Sequence, residues 1–312
     1  MGKMMKVFDL HCDTITRLCE SGGGLVNANL QLSIDRPSFG SYVQTFAIFV
    51  PDTLHGQAAV DYYEKNYAYF MSQMQQYSSK IAQVKTPKEL TATLQDGKIA
   101  AVLAVEGGCV LGGELSRIRT MKAQGVSFLT LTWNGENELG SGIALNKGLT
   151  GFGREAIAEM ESCGIVADVS HLADIGFDDI LKIAKKPFIA THSNSRTICN
   201  VPRNLCDDQF CEIVKRGGLV GVNFYIKFLR SHNIAQADFN DILKHIEHFL
   251  KLGGEDVLAL GSDYDGADMP NELNSVEKIA MLYEFMLQSL TDKKIVDKLF
   301  FENANNFFTK TF

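Results

Sequence analysis

Short apolar runs bounded by turn residues recur along the chain, and eight of them have the length and composition of buried β-strands. They are almost continuously apolar rather than alternating, which is typical of parallel strands covered on both faces. Eight such strands, alternating with helical patterns in a chain of 312 residues, predict an α/β protein, a (β/α)8 TIM barrel. The predicted strands span residues 6–11, 43–50, 100–106, 127–133, 165–171, 188–192, 219–224 and 257–263.

The helical pattern is clearest in the second half of the chain. It predicts helices over residues 152–163 and 178–186, each followed at once by a residue that favours a helix end. A helical pair over residues 275–290 and 292–308 is expected to pack on the barrel. Because the sequence contains no internal repeat, low-complexity tract or linker, residues 1–312 are expected to form a single domain.

Composition and charge argue against several classes of protein. The chain is 46% hydrophobic, enough for a large core, and its net charge of −7 offers no basic surface to a nucleic acid or a membrane. No apolar run approaches the roughly 20 residues that cross a bilayer. Residues 1–6 lead directly into the first predicted strand, with no room for a secretory signal, so we expect a cytoplasmic protein. Its seven cysteines, which form no CxxC pair, are expected to be reduced thiols.

Residues of the metal-ligand type stand where several predicted strands give way to loops. His11 and Asp13 follow the first strand, where side chains two positions apart point to the same side, and Glu106, His171 and His192 end later strands. Because the carboxyl ends of barrel strands meet at one mouth, the five side chains are expected to converge. Glu106 has two oxygens and can bridge two ions, one completed by His11 and Asp13 and the other by His171 and His192. The pattern predicts a barrel of the metal-dependent hydrolase type.

Imidazole and carboxylate ligands favour two zinc ions, although manganese, cobalt or iron suit the same residues. Two ions about 3.5–4 Å apart can hold a hydroxide between them and polarise a carbonyl group.

Taken singly, each histidine has a simpler interpretation as an ordinary polar residue. That interpretation is applied to His245 and His248, which lie about one helical turn apart beside Lys244 and Glu247 and are expected to form a solvated face.

Eight short motifs together give the chain a specific resemblance to a known family. They are Asp9-Leu10-His11-Cys12-Asp13, Val105-Glu106-Gly107-Gly108, Leu129-Thr130-Leu131-Thr132, Asp168-Val169-Ser170-His171, Thr191-His192-Ser193, Arg203-Asn204 with Asp207-Asp208, Val222-Asn223-Phe224-Tyr225 and Gly261-Ser262-Asp263-Tyr264-Asp265-Gly266. Each motif is weak alone. Their order and spacing, over most of the chain, resemble the membrane dipeptidase (renal dipeptidase) family of zinc metallopeptidases, in the form of a bacterial-type cytosolic member.

The resemblance implies an enzyme that hydrolyses dipeptides, including those with a C-terminal D-residue, through a hydroxide bridging two zinc ions per chain. It implies the same five ligands, with Glu106 between the ions. It also implies that Arg203 binds the free carboxylate of the substrate, since a guanidinium pairs with a carboxylate through two hydrogen bonds. Asp263 matches the family's active-site aspartate and is expected to carry a proton from the hydroxide to the leaving amine. Relatives often pair, which favours a homodimer.

The chain departs from the family at one position of the expected substrate pocket. Where the better-known animal members have a histidine that contacts the scissile carbonyl oxygen, this chain has Trp133, followed by Asn134. Tryptophan donates only through its indole N–H and cannot become cationic, so Trp133, Asn134 or the metal must supply that contact. Asn223 and Tyr225 are further candidates for the pocket. Two other functions stay open: hydrolysis of another amide, a lactone or a phosphoester at the same metals, and a barrel that binds without catalysis.

Overall fold

Parallel strands whose carboxyl ends gather at one end of the molecule form the frame of the site. A computed structural model describes residues 5–312, so residues 1–4 of the predicted lead-in to the first strand lie outside the described range. The strands are β1 (Lys6–Asp9), β2 (Ser41–Phe49), β3 (Ile81–Gln83), β4 (Ile99–Glu106), β5 (Val126–Thr130), β6 (Val166–Asp168), β7 (Val220–Val222) and β8 (Leu258–Leu260). All strand pairs in the described range are parallel, and neighbouring strands follow the order β6-β5-β4-β2-β1-β8-β7.

Residues 188–191 complete the barrel between β6 and β7. Ile189 forms a parallel bridge with Asp168 on one side, and Ala190 forms a parallel bridge with Val220 on the other. The predicted (β/α)8 barrel is therefore confirmed, and all eight predicted runs contribute to it, the sixth through single bridges only. The additional strand, β3, was not predicted; it pairs with the first three residues of β4, Ile99–Ala101.

Helices alternate with the strands, as predicted. The helix expected over 152–163 is α5 (Gly151–Cys163), and the one expected over 178–186 is α6 (Asp174–Ile183), which begins four residues earlier than predicted. A π-helical turn, Lys298–Glu302, interrupts the last predicted helix. The helices are α1 (Thr14–Ser21), α2 (Gly56–Gln76), α3 (Pro87–Gln95), α4 (Ser116–Gln124), α5 (Gly151–Cys163), α6 (Asp174–Ile183), α7 (Asp207–Arg216), α8 (Ile226–Leu229), α9 (Phe239–Lys251), α10 (Ile279–Leu290), α11 (Lys293–Asp297) and α12 (Asn303–Thr311).

Two sets of buried side chains fill the fold, because successive strand residues point to opposite faces. One set packs between the strands and the surrounding helices. The other set includes Phe8, Val102 and Phe128, and it continues onto Phe301 and Phe308 near the C-terminus. The ring of Phe8 lies 6.5 Å from that of Phe301 and 6.3 Å from that of Phe308, so these aromatic rings pack near the amino-terminal ends of the strands. The opposite end of the barrel is left for polar side chains.

Two glycines allow close packing at that polar end. A Cβ atom on Gly221 would lie 1.9 Å from the Thr191 carbonyl oxygen, and one on Gly261 would lie 2.0 Å from the same oxygen. Both contacts are far shorter than van der Waals separation, so only glycine fits at these positions. The two glycines thereby fix the position of Thr191 and of His192, the next residue. Among residues 5–312, no helix combines the length and apolar character needed to cross a membrane.

Candidate metal centre and substrate cavity

Six buried polar side chains converge at the carboxyl ends of the strands. They are His11 and Asp13 after β1, Glu106 at the end of β4, His171 after β6, His192 after the 188–191 segment and Asp263 after β8. None is more than 9% exposed. The structure thus brings together all the residues that the sequence nominated as metal ligands, together with the nominated proton carrier.

Glu106 occupies the centre of this cluster. Its Oε1 atom lies 2.8 Å from His171 Nε2 and 3.5 Å from His192 Nε2. Its Oε2 atom lies 3.4 Å from His11 Nε2, which is itself 3.6 Å from Asp13 Oδ2 and 3.9 Å from Asp263 Oδ1. The two oxygens of one carboxylate therefore face two different groups of side chains, as a bridging ligand would.

A chain of hydrogen bonds fixes the proton on the His192 ring. The hydroxyl of Thr191 donates to Asp168 Oδ2 at 2.6 Å, and its oxygen lies 2.8 Å from His192 Nδ1. Because the hydroxyl proton is directed at the carboxylate, the Thr191 oxygen is free to accept from His192 Nδ1–H. The lone pair of this imidazole therefore lies on Nε2, the atom that faces Glu106.

Asn134 fixes the proton on the His171 ring in the same way. The Asn134 amide oxygen lies 3.0 Å from His171 Nδ1, so it accepts from Nδ1–H and leaves the lone pair on Nε2. Asn134 was predicted to contact substrate. It lines the cavity, and its hydrogen bond in the structure is to a predicted metal ligand.

These residues meet the requirements of a cation site. The Nε2 atoms of His171 and His192 are 3.0 Å apart, and with both protons on Nδ1 no hydrogen lies between them. Two lone pairs and a carboxylate oxygen repel one another at this distance unless a cation lies among them. Nearby, His11 Nε2 and Asp13 Oδ1 are buried and have no hydrogen-bond partner within residues 5–312. Two overlapping triads have ligand atoms close enough for one ion each, His11 with Glu106 and His192, and His11 with Asp13 and Asp263.

Burial and mutual charge shift the pKa values of the whole cluster. Burial alone would lower the pKa of His11, but Glu106 and Asp13 raise it well above its ordinary value. Burial would raise the pKa of Glu106, yet His11 and the other histidines hold it well below the usual range. Burial lowers the pKa of His171 to about 4, with a further contribution from Arg203. A neutral His171 and an ionised Glu106 are the protonation states that bind a metal.

Asp263 sits in a conformation and an environment that set it apart from the other carboxylates. Its φ angle is 67°, in the left-handed region that few residues other than glycine adopt. The Asn223 amide donates to its Oδ2 atom at 3.0 Å. Burial, with Asp13 and Glu106 adding to it against the opposing effect of His11, raises the pKa of Asp263 to about 8. The carboxyl group can therefore hold or release a proton near neutral pH.

Asn223 was predicted to contact substrate, and in the structure its side-chain amide supports Asp263. The Asn223 side chain is fully buried. Its backbone N–H donates to Asn194 Oδ1 at 2.9 Å, which anchors it to the loop after His192. Asn223 therefore positions the Asp263 carboxylate through the hydrogen bond from its side-chain amide.

Arg203 is buried next to His192. Its Nη1 donates to Ser193 Oγ at 2.9 Å, its Nη2 donates to the His192 carbonyl at 2.9 Å, and its guanidinium lies 5.5 Å from the Phe228 ring centre. Its Nε atom is buried and has no acceptor within residues 5–312. The two hydrogen bonds use two of the five N–H groups of the guanidinium, and Nε–H and the second hydrogens of Nη1 and Nη2 take no part in them. Burial lowers the Arg203 pKa to about 10.

A cavity of about 410 Å³ opens above the cluster. Asp13, Glu106, His171 and Asp263 contribute to its floor. The predicted pocket residues Trp133, Asn134 and Tyr225 line its walls, together with Thr16, Arg17, Glu20, Phe49, Phe228, Asp265, Gly266 and Ala267. No sequence signal indicated this role for Phe49, which lies inside a predicted strand. Phe228 and the α1 residues were marked only by their position after the ends of predicted strands.

The prediction for His245 and His248 was wrong. His245 is fully buried: its Nδ1 accepts from the Ser195 N–H at 3.1 Å, and its Nε2 lies 3.0 Å from the Leu229 carbonyl. His248 is only partly exposed and pairs with Asp207 at 2.8 Å. His245 belongs to the apolar stripe of α9 with Ile242, Ile246 and Phe249. The charged neighbours of His245 in the sequence obscured this helical spacing.

Sequence reasoning also gave no role to Asp168 and Thr191, although both lie within recognised motifs. The Asp168 carboxylate accepts from Thr130 Oγ1, from Ser170 Oγ and N–H, and from Thr191 Oγ1 and N–H, at 2.6–3.0 Å. The available signal was position: Asp168 ends a strand three residues before His171, and Thr191 directly precedes His192.

A parallel barrel with histidines and carboxylates clustered at the carboxyl ends of its strands is the architecture of a metal-dependent hydrolase. The family model of membrane dipeptidases, peptidase family M19, matches residues 1–311. The chain therefore belongs to the membrane dipeptidase family, whose members are metal-dependent peptide hydrolases.

Individual relatives agree with this assignment. The chain is 35% identical over 219 residues to a Klebsiella pneumoniae protein from the pqqA 5′ region, an alignment covering 67% of this chain and 81% of that protein. It is 34% identical over 196 residues to an uncharacterized dipeptidase of Schizosaccharomyces pombe, covering 61% of this chain and 47% of that protein.

Solved structures extend the similarity across the whole fold. The chain superposes on the metallopeptidase dipeptidase AC with a TM-score of 0.93 and 26% identity, covering 99% of both chains. It superposes equally well, with a TM-score of 0.93 and 25% identity, on a metallopeptidase from Rhodobacter sphaeroides liganded with a phosphinate mimic of the dipeptide L-Ala-D-Ala. That alignment covers 99% of this chain and 100% of the other.

Proposed function

We propose that this protein is a zinc metallodipeptidase, with residues 1–312 acting as one catalytic domain. The observation that carries the proposal is the convergence of the His171 and His192 lone pairs on Glu106, at the floor of a cavity of about 410 Å³. Ligand pockets range from about 300 to 1,000 Å³, so this cavity suits a ligand as small as a dipeptide.

Two zinc ions per chain fit the donor set. His11 and Asp13 would hold one ion, His171 and His192 would hold the other, and Glu106 would bridge the two. When bound, the ions would supply a hydroxide nucleophile and would polarise the scissile carbonyl. The hydrogen bonds that His192 Nδ1–H and His171 Nδ1–H donate to Thr191 and Asn134 keep the two imidazole lone pairs on Nε2, where they would bind metal.

Asp263 is the proton carrier in this proposal. The Asn223 amide holds its Oδ2 atom, and its Oδ1 atom faces His11 at 3.9 Å. The carboxylate takes a proton from the attacking nucleophile and delivers it to the leaving amine nitrogen as the peptide bond breaks. Burial, with the neighbouring carboxylates Asp13 and Glu106, raises the pKa of Asp263, which favours its role of accepting a proton and passing it on.

Arg203 selects substrates with a free carboxylate. Its unpartnered Nε–H and a neighbouring Nη–H can donate together to the two oxygens of a C-terminal carboxylate. The substitution Arg203→Ala is expected to raise KM for dipeptides strongly and to leave hydrolysis of a neutral ester almost unchanged. An equal loss on both substrates would favour the alternative in which the metals act on another amide, a lactone or a phosphoester.

A C-terminal D-residue is included in the proposed substrate range. The Rhodobacter sphaeroides metallopeptidase, which shares 25% identity and the whole fold with this chain, is liganded with a mimic of L-Ala-D-Ala. A homodimer is also proposed from the family resemblance, and light scattering of the purified protein at several concentrations tests it.

The first experiment measures amino-acid release from L-L, L-D and D-L dipeptides by zinc-loaded protein. We expect release, and a fall of about 10²–10⁴-fold in kcat for Asp263→Asn, the scale of general acid–base catalysis. Metal analysis of both proteins, with two zinc ions expected in each, controls for loss of the metals. No release from any dipeptide by protein that contains both ions would refute the dipeptidase proposal.

A further inference from the structure

Aromatic side chains stand on two sides of the cavity. Phe49, at the end of β2, and Trp133, just after β5, meet edge to face with ring centres 4.9 Å apart at 73°. Tyr225 and Phe228, after β7, also meet edge to face, with ring centres 4.8 Å apart at 77°. All four side chains line the cavity and are only partly buried, which leaves apolar surface open to a ligand.

The two aromatic pairs face each other across the barrel mouth. Around the ring, β4 stands between β2 and β5, whereas β7 follows β6 and the 188–191 segment on the far side. The Phe49–Trp133 pair is the one beside the metal centre, because the Trp133 ring centre lies 6.4 Å from that of His171. The Tyr225–Phe228 pair is the one beside Arg203, whose guanidinium lies 5.5 Å from the Phe228 ring centre.

We propose that Phe49 and Trp133 form the subsite for the side chain of the N-terminal residue of the dipeptide, and that they select an apolar side chain there. The inference rests on the proposed function, in which Arg203 holds the carboxylate. That contact places the C-terminal residue beside Tyr225 and Phe228. With the scissile carbonyl over the metal ligands, the N-terminal residue extends across the mouth to the opposite wall.

The chemistry of this wall favours apolar side chains over charged ones. Aromatic faces and edges gain from covering apolar surface, and this pair offers a carboxylate no cation and only one donor, the indole N–H of Trp133. The charged residues of the cavity rim, Arg17 and Glu20 on α1, are exposed and can keep their charges in water. The subsite therefore distinguishes leucine from serine or aspartate at the N-terminal position.

The kinetic test compares Leu-Ala, Ala-Leu and Ala-Ala as substrates. Trp133→Ala is expected to raise KM for Leu-Ala about tenfold, through loss of apolar contact area, and to change KM for the other two less than about twofold. Tyr225→Ala is the matched control on the opposite wall and is expected to affect Ala-Leu instead. Trp133→His, closer in size, serves as a second variant if the alanine substitution impairs folding.

The binding test uses the chain's single tryptophan, Trp133, as its own reporter. Zinc-loaded Asp263→Asn protein, in which turnover is expected to be slow, is titrated with each dipeptide while tryptophan emission is recorded. Leu-Ala is expected to shift the emission to shorter wavelength more than Ala-Leu does, because its leucine covers the indole.

The outcomes separate this inference from the proposed function. If the unaltered protein hydrolyses dipeptides but Trp133→Ala affects Leu-Ala and Ala-Leu equally, or affects Ala-Leu more, the subsite assignment is overturned and the dipeptidase proposal stands. Binding of Leu-Ala without any change in emission also overturns it. If the unaltered, zinc-loaded protein hydrolyses none of the dipeptides, both the dipeptidase proposal and the subsite assignment are refuted.

Discussion

Replacement of Thr191 by valine tests how the buried hydrogen bonds around the metal centre support zinc binding. Valine keeps the shape of threonine but removes the oxygen that lies 2.8 Å from His192 Nδ1 and 2.6 Å from Asp168 Oδ2. Asp168 keeps four of its five hydrogen bonds, from Thr130, Ser170 and the Thr191 backbone. His192 Nδ1–H, however, loses its acceptor in a fully buried site.

The size of the effect follows from that lost acceptor. A buried donor left unsatisfied costs about 1–3 kcal/mol. Loss of the residue that orients a histidine ligand typically weakens metal binding by about 10–100-fold, which converts to about 1.4–2.7 kcal/mol. The two estimates agree, so we expect one zinc ion, the one held by His171 and His192, to bind about 10–100-fold more weakly.

The assay is a zinc titration of metal-free protein in competition with a coloured chelator. Thr191→Ser is the matched control, since it keeps the hydroxyl, and it should bind both ions with nearly the original affinities. The ion held by His11 and Asp13 should bind Thr191→Val with an affinity close to the original. Equal affinities of Thr191→Val and the unaltered protein for both ions would refute the reasoning, as would a Thr191→Ser variant as weak as Thr191→Val.

Two further predictions concern stability. Burial lowers the pKa of His245 to about 4 from 6.5, so below pH 6.5 the unfolded chain takes up a proton at this histidine more readily than the folded chain does. Above pH 6.5 the histidine is neutral in both states and stability does not depend on its titration. As the pH falls from 6.5 towards 4, about 3 kcal/mol of the free energy of unfolding is lost. Urea unfolding across this range should show a smaller loss for His245→Gln, and parallel curves for the two proteins would contradict the prediction. Gly221→Ala places a Cβ atom 1.9 Å from the Thr191 carbonyl oxygen, so it should cost about 3 kcal/mol or more, or prevent folding. Gly151→Ala, at a site with open space for a Cβ, is the control, and thermal melts showing equal stability for the two variants would exclude close packing as the reason for Gly221.

The local sequence was sufficient to predict the strands of the barrel and the residues that follow their carboxyl ends. The apolar runs located all eight strands of the ring, because a buried parallel strand must be apolar on both faces. Residues that follow such runs are brought to one mouth by closure of the barrel, so His11, Glu106 and His192 could be nominated together before any contact was known. The family motifs then narrowed the class of reaction.

Tertiary structure decided which long-range partner each polar side chain meets. Asn134 and Asn223 were nominated only as pocket residues, and the folded chain shows that Asn134 accepts from His171 and that Asn223 donates to Asp263. His245 looked solvated from its charged neighbours, yet Ser195 and Leu229, distant in sequence, satisfy its ring in the interior.

The sequence by itself therefore determined the barrel and the identity of the candidate ligands, because strand burial and strand ends are local properties of the chain. Only the tertiary structure decided the protonation of the histidines, the support of Asp263 and the aromatic walls of the cavity. Those features depend on hydrogen bonds and ring contacts between loops that follow different strands, and no local pattern encodes which loops meet.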